Sequence, residues 1–129
     1  MTLSFEHHIH GDDLHDLMRF LIKRKLKKKG ATILDTRVFK DRRCPCEPDV
    51  YFQWDEVLRE GNTKRHVTRR GVIEVESNPS KESIALKNEQ YTFSLAGVKL
   101  FIFDLTQLEA GKWRDWKYLD EWIEKRLPL

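Results

Sequence analysis

Two glutamates, Glu74 and Glu76, interrupt the otherwise apolar run GVIEVE of residues 71–76. Alternate side chains of a β-strand share a face, so both carboxylates point to the same side of a strand formed here. Carboxylates about 7 Å apart repel each other unless a positive charge lies between them. Magnesium takes one or two carboxylates and keeps water as its other ligands, so the pair predicts a site for a divalent cation.

A third acid, Asp49, follows Pro48 at the start of the segment DVYFQWDEVLRE. Aromatic and β-branched residues in this segment favour a strand, and the turn residues of GNTK separate it from a further strand over residues 65–76. A magnesium site is typically completed by an acid from a neighbouring strand. We therefore expect Asp49 to complete a cation site with Glu74 and Glu76.

The N-terminal half of the chain predicts a helix followed by three strands. Residues 12–29 place apolar side chains at i, i+3, i+4 and i+7 spacing, with lysines in the last turn and Gly30 after it, which is typical of an amphipathic helix. Residues 31–39, ATILDTRVF, favour a strand because they are rich in β-branched residues. Together with the two strands described above, this segment predicts an antiparallel meander.

The C-terminal half predicts a helix, a strand and a closing helix. Residues 79–96 favour the first helix, with Ser77 or Asn78 as its cap. Residues 98–105, VKLFIFDL, are apolar on both faces, which indicates an interior strand parallel to the third. The closing helix, over residues 112–126, has an apolar stripe of Trp116, Leu119, Trp122, Ile123 and Leu127. The predicted order is αβββαβα, an α/β sandwich.

Composition indicates one folded domain over residues 1–129. The chain is 40% hydrophobic and 35% charged, and its apolar residues recur with regular periodicity, which argues against disorder. No apolar stretch approaches the roughly 20 residues that span a bilayer, and the N-terminus lacks the pattern of a signal peptide. We expect no membrane partner and a cytoplasmic protein, in the host cytoplasm if its source is viral.

Positive charge is concentrated in three short segments, although the net charge is only +3. The segments are KRKLKKKG, KDRR and TKRHVTRR, and such clusters suit a polyanion, although solvated helix and loop surfaces are the alternative. The predicted nucleic-acid-binding residues are Lys23, Lys27, Arg42, Arg43, Lys64, Arg65, Arg69 and Arg70.

Pro48-Asp49 and Glu74-Val75-Glu76, on the element order αβββαβα, resemble the PD-(D/E)xK nuclease superfamily. This superfamily includes restriction endonucleases, archaeal Holliday-junction resolvases and RecB-type nucleases. The resemblance covers roughly residues 12–105 and implies a restriction-endonuclease-like core with a central mixed sheet flanked by helices. It also implies that Asp49 and Glu74 bind Mg²⁺ or Mn²⁺, while Glu76 occupies the place usually held by lysine.

Glu76 departs from the family pattern, since a lysine there would place a positive charge beside the nucleophile. A glutamate can serve instead as a further metal ligand or as a general base. A second hypothesis moves the positive charge to the following helix, where Lys87 is the best candidate and Lys81, in the first turn, is a poorer one.

Several residues are accessory candidates. Gln90 and Tyr91 are similar to the glutamine and tyrosine that follow the active site of RecB-type nucleases, although the spacing there is wider. Glu6, Asp13 or Asp16 would supply an extra acid as in the junction resolvases, and the sequence does not choose among these three.

The two cysteines, Cys44 and Cys46, form a CPC segment that is one residue short of a CxxC knuckle. They are either ordinary loop residues or part of a zinc site with His7, His8 or His10.

The resemblance implies a Mg²⁺-dependent DNA endonuclease that hydrolyses phosphodiester bonds. A chain of this size cannot easily enclose a duplex, so we expect a homodimer that pairs two sites. The alternative of the same fold is a catalytically inactive protein that acts as a DNA-binding or protein-interaction module. A small zinc-binding or assembly protein built on CPC is a third hypothesis.

Overall fold

A computed structural model describes residues 11–129 of the chain. The elements, in chain order, are α1 Gly11–Lys28, β1 Thr32–Leu34, α2 Arg37–Asp41, β2 Val50–Glu60, β3 Thr63–Glu76, α3 Lys81–Ser94, β4 Val98–Asp104, a 3-10 turn Leu105–Gln107 and α4 Trp116–Glu124. Each of the described helices is too short or too polar to span a bilayer.

The four strands form one mixed sheet in the order β1-β2-β3-β4. β1 pairs antiparallel with β2, and β2 pairs antiparallel with β3, so the predicted meander is confirmed. As predicted, β4 pairs parallel with β3, and the structure places Glu74 opposite Ile102. The prediction that β4 is an interior strand is wrong, because within residues 11–129 it pairs with β3 alone. Its apolar character has another cause, since helices cover both of its faces.

Apolar clusters lie on both faces of the sheet and give a mixed α/β sandwich. The larger cluster packs α1 and α4 against one face, and its buried members include Met18, Ile22, Val50, Phe52, Ile73, Val75, Phe103, Leu119 and Ile123. The smaller cluster packs α2 and α3 against the other face and consists of Phe39, Tyr51, Val72, Tyr91 and Val98. We call these the α1/α4 face and the α3 face. The α/β class and the flanking helices are confirmed.

The predicted strand over residues 31–39 is wrong beyond Leu34, because α2 follows a turn at Asp35. The Asp35 carboxylate accepts the backbone N–H of Arg37 at 2.9 Å and also binds its guanidinium. This local bond competes with an extended backbone and starts the short helix. The helix turns Phe39 into the smaller cluster, where it is buried.

Two helix starts also differ from prediction. The cap of α3 is Ser80, because the side chains of Ser80 and Ser83 each accept the other's backbone N–H, at 3.1 and 3.3 Å. Asp115 caps α4 at residue 116, four positions after the predicted start. Trp116 therefore lies in the first turn and is 59% exposed, so its placement on the apolar stripe is wrong. Leu119, Trp122 and Ile123 are buried as predicted.

Candidate functional site

Asp49 lies immediately before β2 and is fixed against β3. Its backbone N–H donates to the carbonyl of Ile73 at 3.0 Å, and its Oδ2 accepts the backbone N–H of Val75 at 2.7 Å. These two bonds bracket Glu74 in the β3 sequence. The start of β2 and the end of β3 therefore bring Asp49 and Glu74 together, as the sequence predicted.

Glu74 is the one charged side chain that is buried among those described, with 5% of its surface exposed. Helix α3 supplies both of its partners. Lys87 Nζ lies 3.4 Å from one carboxylate oxygen, and the Tyr91 hydroxyl donates to the other. Lys87 and Tyr91 are four residues apart and so share one face of the helix. Tyr91, one of the accessory candidates, therefore contacts the central acid directly.

Lys87 lies between the two glutamates of β3. Its ammonium group forms an ion pair with Glu76 as well as with Glu74. The positive charge that the Glu74 and Glu76 spacing requires is therefore present within the protein. Glu76 is 27% exposed and forms the outer edge of the cluster.

The pKa of Glu74 is raised to about 7, mainly by burial and also by the nearby charges of Asp49 and Glu76, while Tyr91 and Lys87 oppose the rise. For Lys87, burial disfavours the charged form, but the ion pairs with Glu76 and Glu74 outweigh this and raise its pKa. Burial also raises the pKa of the Tyr91 phenol, as do its contacts with Cys46 and Glu74. At neutral pH Glu74 is thus poised between its two forms, beside a cationic lysine and a neutral tyrosine.

Sequence reasoning missed His15 of α1. Its Nε2 lies 2.8 Å from Asp49 Oδ1, the carboxylate oxygen that does not accept the Val75 N–H. Of the predicted extra acids, Asp16 lies 3.6 Å from His15 Nδ1 and forms an ion pair with Arg19 at 2.9 Å. Asp13 is exposed at the start of α1, and Glu6 lies outside the described residues. The available signal was periodicity, because His15 precedes the buried Met18 by three residues and therefore lies near the apolar face of α1.

Gln90 faces the cysteine pair instead of the carboxylates. The Cys46 thiol lies 3.3 Å from Gln90 Oε1, and the two sulfur atoms are 3.9 Å apart. Gln90 is therefore connected to Glu74 only indirectly, because Cys46, which it contacts, also contacts the Tyr91 hydroxyl. His7, His8 and His10 lie outside the described residues, so the zinc hypothesis stays a prediction.

All four carboxylate oxygens of Asp49 and Glu74 face protein groups, namely His15, the Val75 N–H, Tyr91 and Lys87. Within residues 11–129, no three His, Cys, Asp or Glu side chains converge as metal ligands do. The available atoms, carboxylate oxygens and an imidazole nitrogen, are nevertheless ligands that Mg²⁺ or Mn²⁺ accepts. The residues fit a divalent cation in chemistry, and the cation would compete with His15 and Lys87 for these oxygens.

The predicted nucleic-acid-binding residues lie on several surfaces. Arg42 donates to the carbonyl of Ser94 and, with Arg43, lies at the C-terminal end of α3. Lys27 is exposed on α1, and Lys23 on the same helix is half-buried. The four remaining residues, Lys64, Arg65, Arg69 and Arg70, alternate between the two faces of β3.

The chain matches none of the protein-family models, curated proteins or solved structures with which it was compared. The resemblance to PD-(D/E)xK nucleases stays a prediction.

Proposed function

We propose that the protein is a metal-dependent deoxyribonuclease that hydrolyses phosphodiester bonds within DNA. One observation carries the proposal: Glu74 is buried between Asp49 and Lys87 with a pKa of about 7. Burying an ionisable acid disfavours folding, and an apolar residue would pack there at lower cost. Strongly perturbed acids beside a specific charge partner concentrate at catalytic sites.

A divalent cation, Mg²⁺ or Mn²⁺, would be held by Asp49 and Glu74, with Glu76 and His15 beside them. When bound, it would offset negative charge on the attacked phosphate and favour ionisation of water. Glu74 binds a proton near neutral pH, and the cation binds its ionised carboxylate, so the proton and the cation compete for this side chain.

The protein groups have distinct roles in this proposal. Glu76 is the most exposed of the three acids and accepts a proton from the attacking water. Lys87 adds positive charge where the phosphate gains negative charge in the transition state. Tyr91 and His15 orient Glu74 and Asp49 through the contacts described above. A homodimer would pair two such sites on the two strands of a duplex.

The test is cleavage of duplex, single-stranded and branched DNA with Mg²⁺ or Mn²⁺. We expect cation-dependent cleavage that falls at least ~100-fold in Glu74→Gln, because the substitution removes charge at an unchanged shape. The matched control is Glu121→Gln, an exposed glutamate on α4, which should cleave as wild type does. Equal trace activity in wild type and Glu74→Gln would rule out a nuclease.

A second candidate is a DNA-binding or protein-interaction module of the same fold without catalytic activity. The observation that favours it is that protein groups already face all four oxygens of Asp49 and Glu74. Titration of Mn²⁺ into the protein, followed by electron paramagnetic resonance, separates the candidates. Binding that is lost in Glu74→Gln supports the nuclease, and no binding in either protein supports the module.

A further inference from the structure

The hairpin of β2 and β3 extends beyond the rest of the sheet. β1 pairs with β2 only as far as Gln53, and β4 pairs with β3 only from Arg70 onwards. The two strands continue as a ladder of their own from Trp54 opposite Arg69 to Glu60 opposite Thr63. We call residues 54–69 the arm. It extends roughly 20 Å along the strand direction.

One face of the arm has its charges neutralised. Arg69 pairs with Glu56 at 2.8 Å, and Arg65 pairs with Glu60 at 3.5 Å. We call the face that carries these four side chains the paired face. It continues into the α1/α4 face of the sheet. Phe52 lies on the same side of β2 as the two glutamates, and Ile73 lies on the same side of β3 as the two arginines.

The opposite face of the arm carries a surplus of positive charge, and we call it the open face. Its charged residues are Asp55, Arg59 and Lys64, with His66 between them and Arg70 at the base of the arm. Asp55 accepts the Thr68 hydroxyl at 3.2 Å. Neither Arg59 nor Lys64 forms an ion pair with any described residue.

Arg59 and Lys64 lie directly opposite each other across the ladder. Like charges in this position destabilise a hairpin, and a two-stranded hairpin is marginally stable in water even without them. On the paired face, the same two strands place each base within ion-pair distance of an acid that lies diagonally across the ladder. The open face therefore has the arrangement expected where an anionic partner supplies the missing negative charge.

The open face leads along β3 to the acids. Lys64, Arg70 and Glu74 all belong to the even-numbered positions of the strand, which share one face. Ten residues separate Lys64 from Glu74, a span of roughly 33 Å, close to the ~34 Å of one turn of duplex DNA. We propose that the open face of the arm binds the phosphate backbone of DNA and guides it to Glu74 and Lys87.

This inference rests on the proposed function, which makes DNA the ligand. Arg59, Lys64 and Arg70 are the residues that contact its phosphates. The inference removes Arg65 and Arg69 from the DNA-binding surface, because their charges are directed to Glu60 and Glu56. A partner that recognises only net charge would not distinguish these two sets.

The test measures binding of a fluorescently labelled 30-base-pair duplex by anisotropy, in EDTA and in the Glu74→Gln background, so that cleavage does not interfere. The open-face variant is Arg59→Gln with Lys64→Gln. The matched control is Arg65→Gln with Arg69→Gln, which changes the net charge equally on the same hairpin. We expect at least ~10-fold weaker binding for the open-face variant and a slope of log K against log salt that is shallower by about 2. The control should bind within ~3-fold of its background.

Equal losses in the two variants, or no loss in the open-face variant, overturn the proposal. Thermal unfolding guards against misfolding, since removal of two opposed cations should leave the melting temperature unchanged or raise it. The outcomes also separate the two proposals. Selective loss of binding with no cleavage by wild type under any divalent cation supports the arm and overturns the nuclease. Cleavage by wild type with no effect of the open-face variant on binding overturns the arm alone.

Discussion

The two faces of β3 are equally buried at their centre and differ in what they bury. Ile73 and Val75 face α1 and α4 within a cluster of apolar side chains. Glu74, between them, faces α3 and contacts Lys87 and Tyr91. Apolar burial stabilises the fold at about 25 cal/mol per Å², whereas burial of an acid opposes it. The α1/α4 face therefore provides the stability that allows the α3 face to hold an unfavourable charge.

The largest effect is expected from a substitution in the apolar cluster of the α1/α4 face. Phe103→Ala removes a fully buried ring that packs edge-on against Trp122, and we expect a loss of ~3–5 kcal/mol in the free energy of unfolding. The control is Phe93→Ala on α3, since Phe93 is 95% exposed and should change stability by less than ~0.5 kcal/mol. Urea denaturation of both variants provides the measurement. Similar losses in the two variants would contradict the assignment of the core to the α1/α4 face.

The next effect tests the polar side through pH. Because the pKa of Glu74 is raised from 4.5 to about 7, the folded state retains a proton that the unfolded state releases as pH rises above 4.5. The stability contribution of Glu74 is complete below pH 4.5, is lost between pH 4.5 and about 7, and is constant above that range. Relative to Glu74→Gln, wild type should lose about 3 kcal/mol across this window.

Urea denaturation of wild type and Glu74→Gln at several pH values checks this expectation. As a control, the free energy of unfolding of Glu121→Gln should change with pH in the same way as that of wild type. If the difference between wild type and Glu74→Gln does not change with pH, Glu74 titrates normally and the two faces do not differ as described.

The sequence predicted the carboxylates better than their surroundings. Strand alternation alone places Glu74 and Glu76 on one face of β3, and helical spacing places Lys87 and Tyr91 on one face of α3. Both placements depend only on residues close together in the sequence. The contact of His15 with Asp49 depends on how α1 packs over the sheet, which spacing within one helix does not determine. The position of β4 at the edge of the sheet was also missed. An edge strand that is covered on both faces has the same apolar sequence pattern as an interior strand.

A third test returns to the α1/α4 face, where Gly71 allows two aromatic rings to approach the backbone. A Cβ at this position would lie 2.8 Å from Phe52 Cζ and 2.9 Å from Phe101 Cε2. We expect Gly71→Ala to lower the free energy of unfolding by ~1–3 kcal/mol through overpacking. The double variant Gly71→Ala with Phe101→Leu should lose less than the sum of the two single losses. Strict additivity would show that contact with Phe101 does not cause the loss.

The smallest effect is expected from removal of the Lys87 charge beside Glu74. Lys87 favours the ionised form of Glu74, so Lys87→Met should raise the pKa of Glu74 above about 7. We expect a further rise of roughly 1 unit, about 1.4 kcal/mol, at the low end for a neighbouring opposite charge. Carbon-13 NMR of the glutamate carboxyl groups measures it, with Lys81→Met in the first turn of α3 as the control. An unchanged pKa of Glu74 would show that Lys87 does not influence this acid and serves only the ion pair with Glu76.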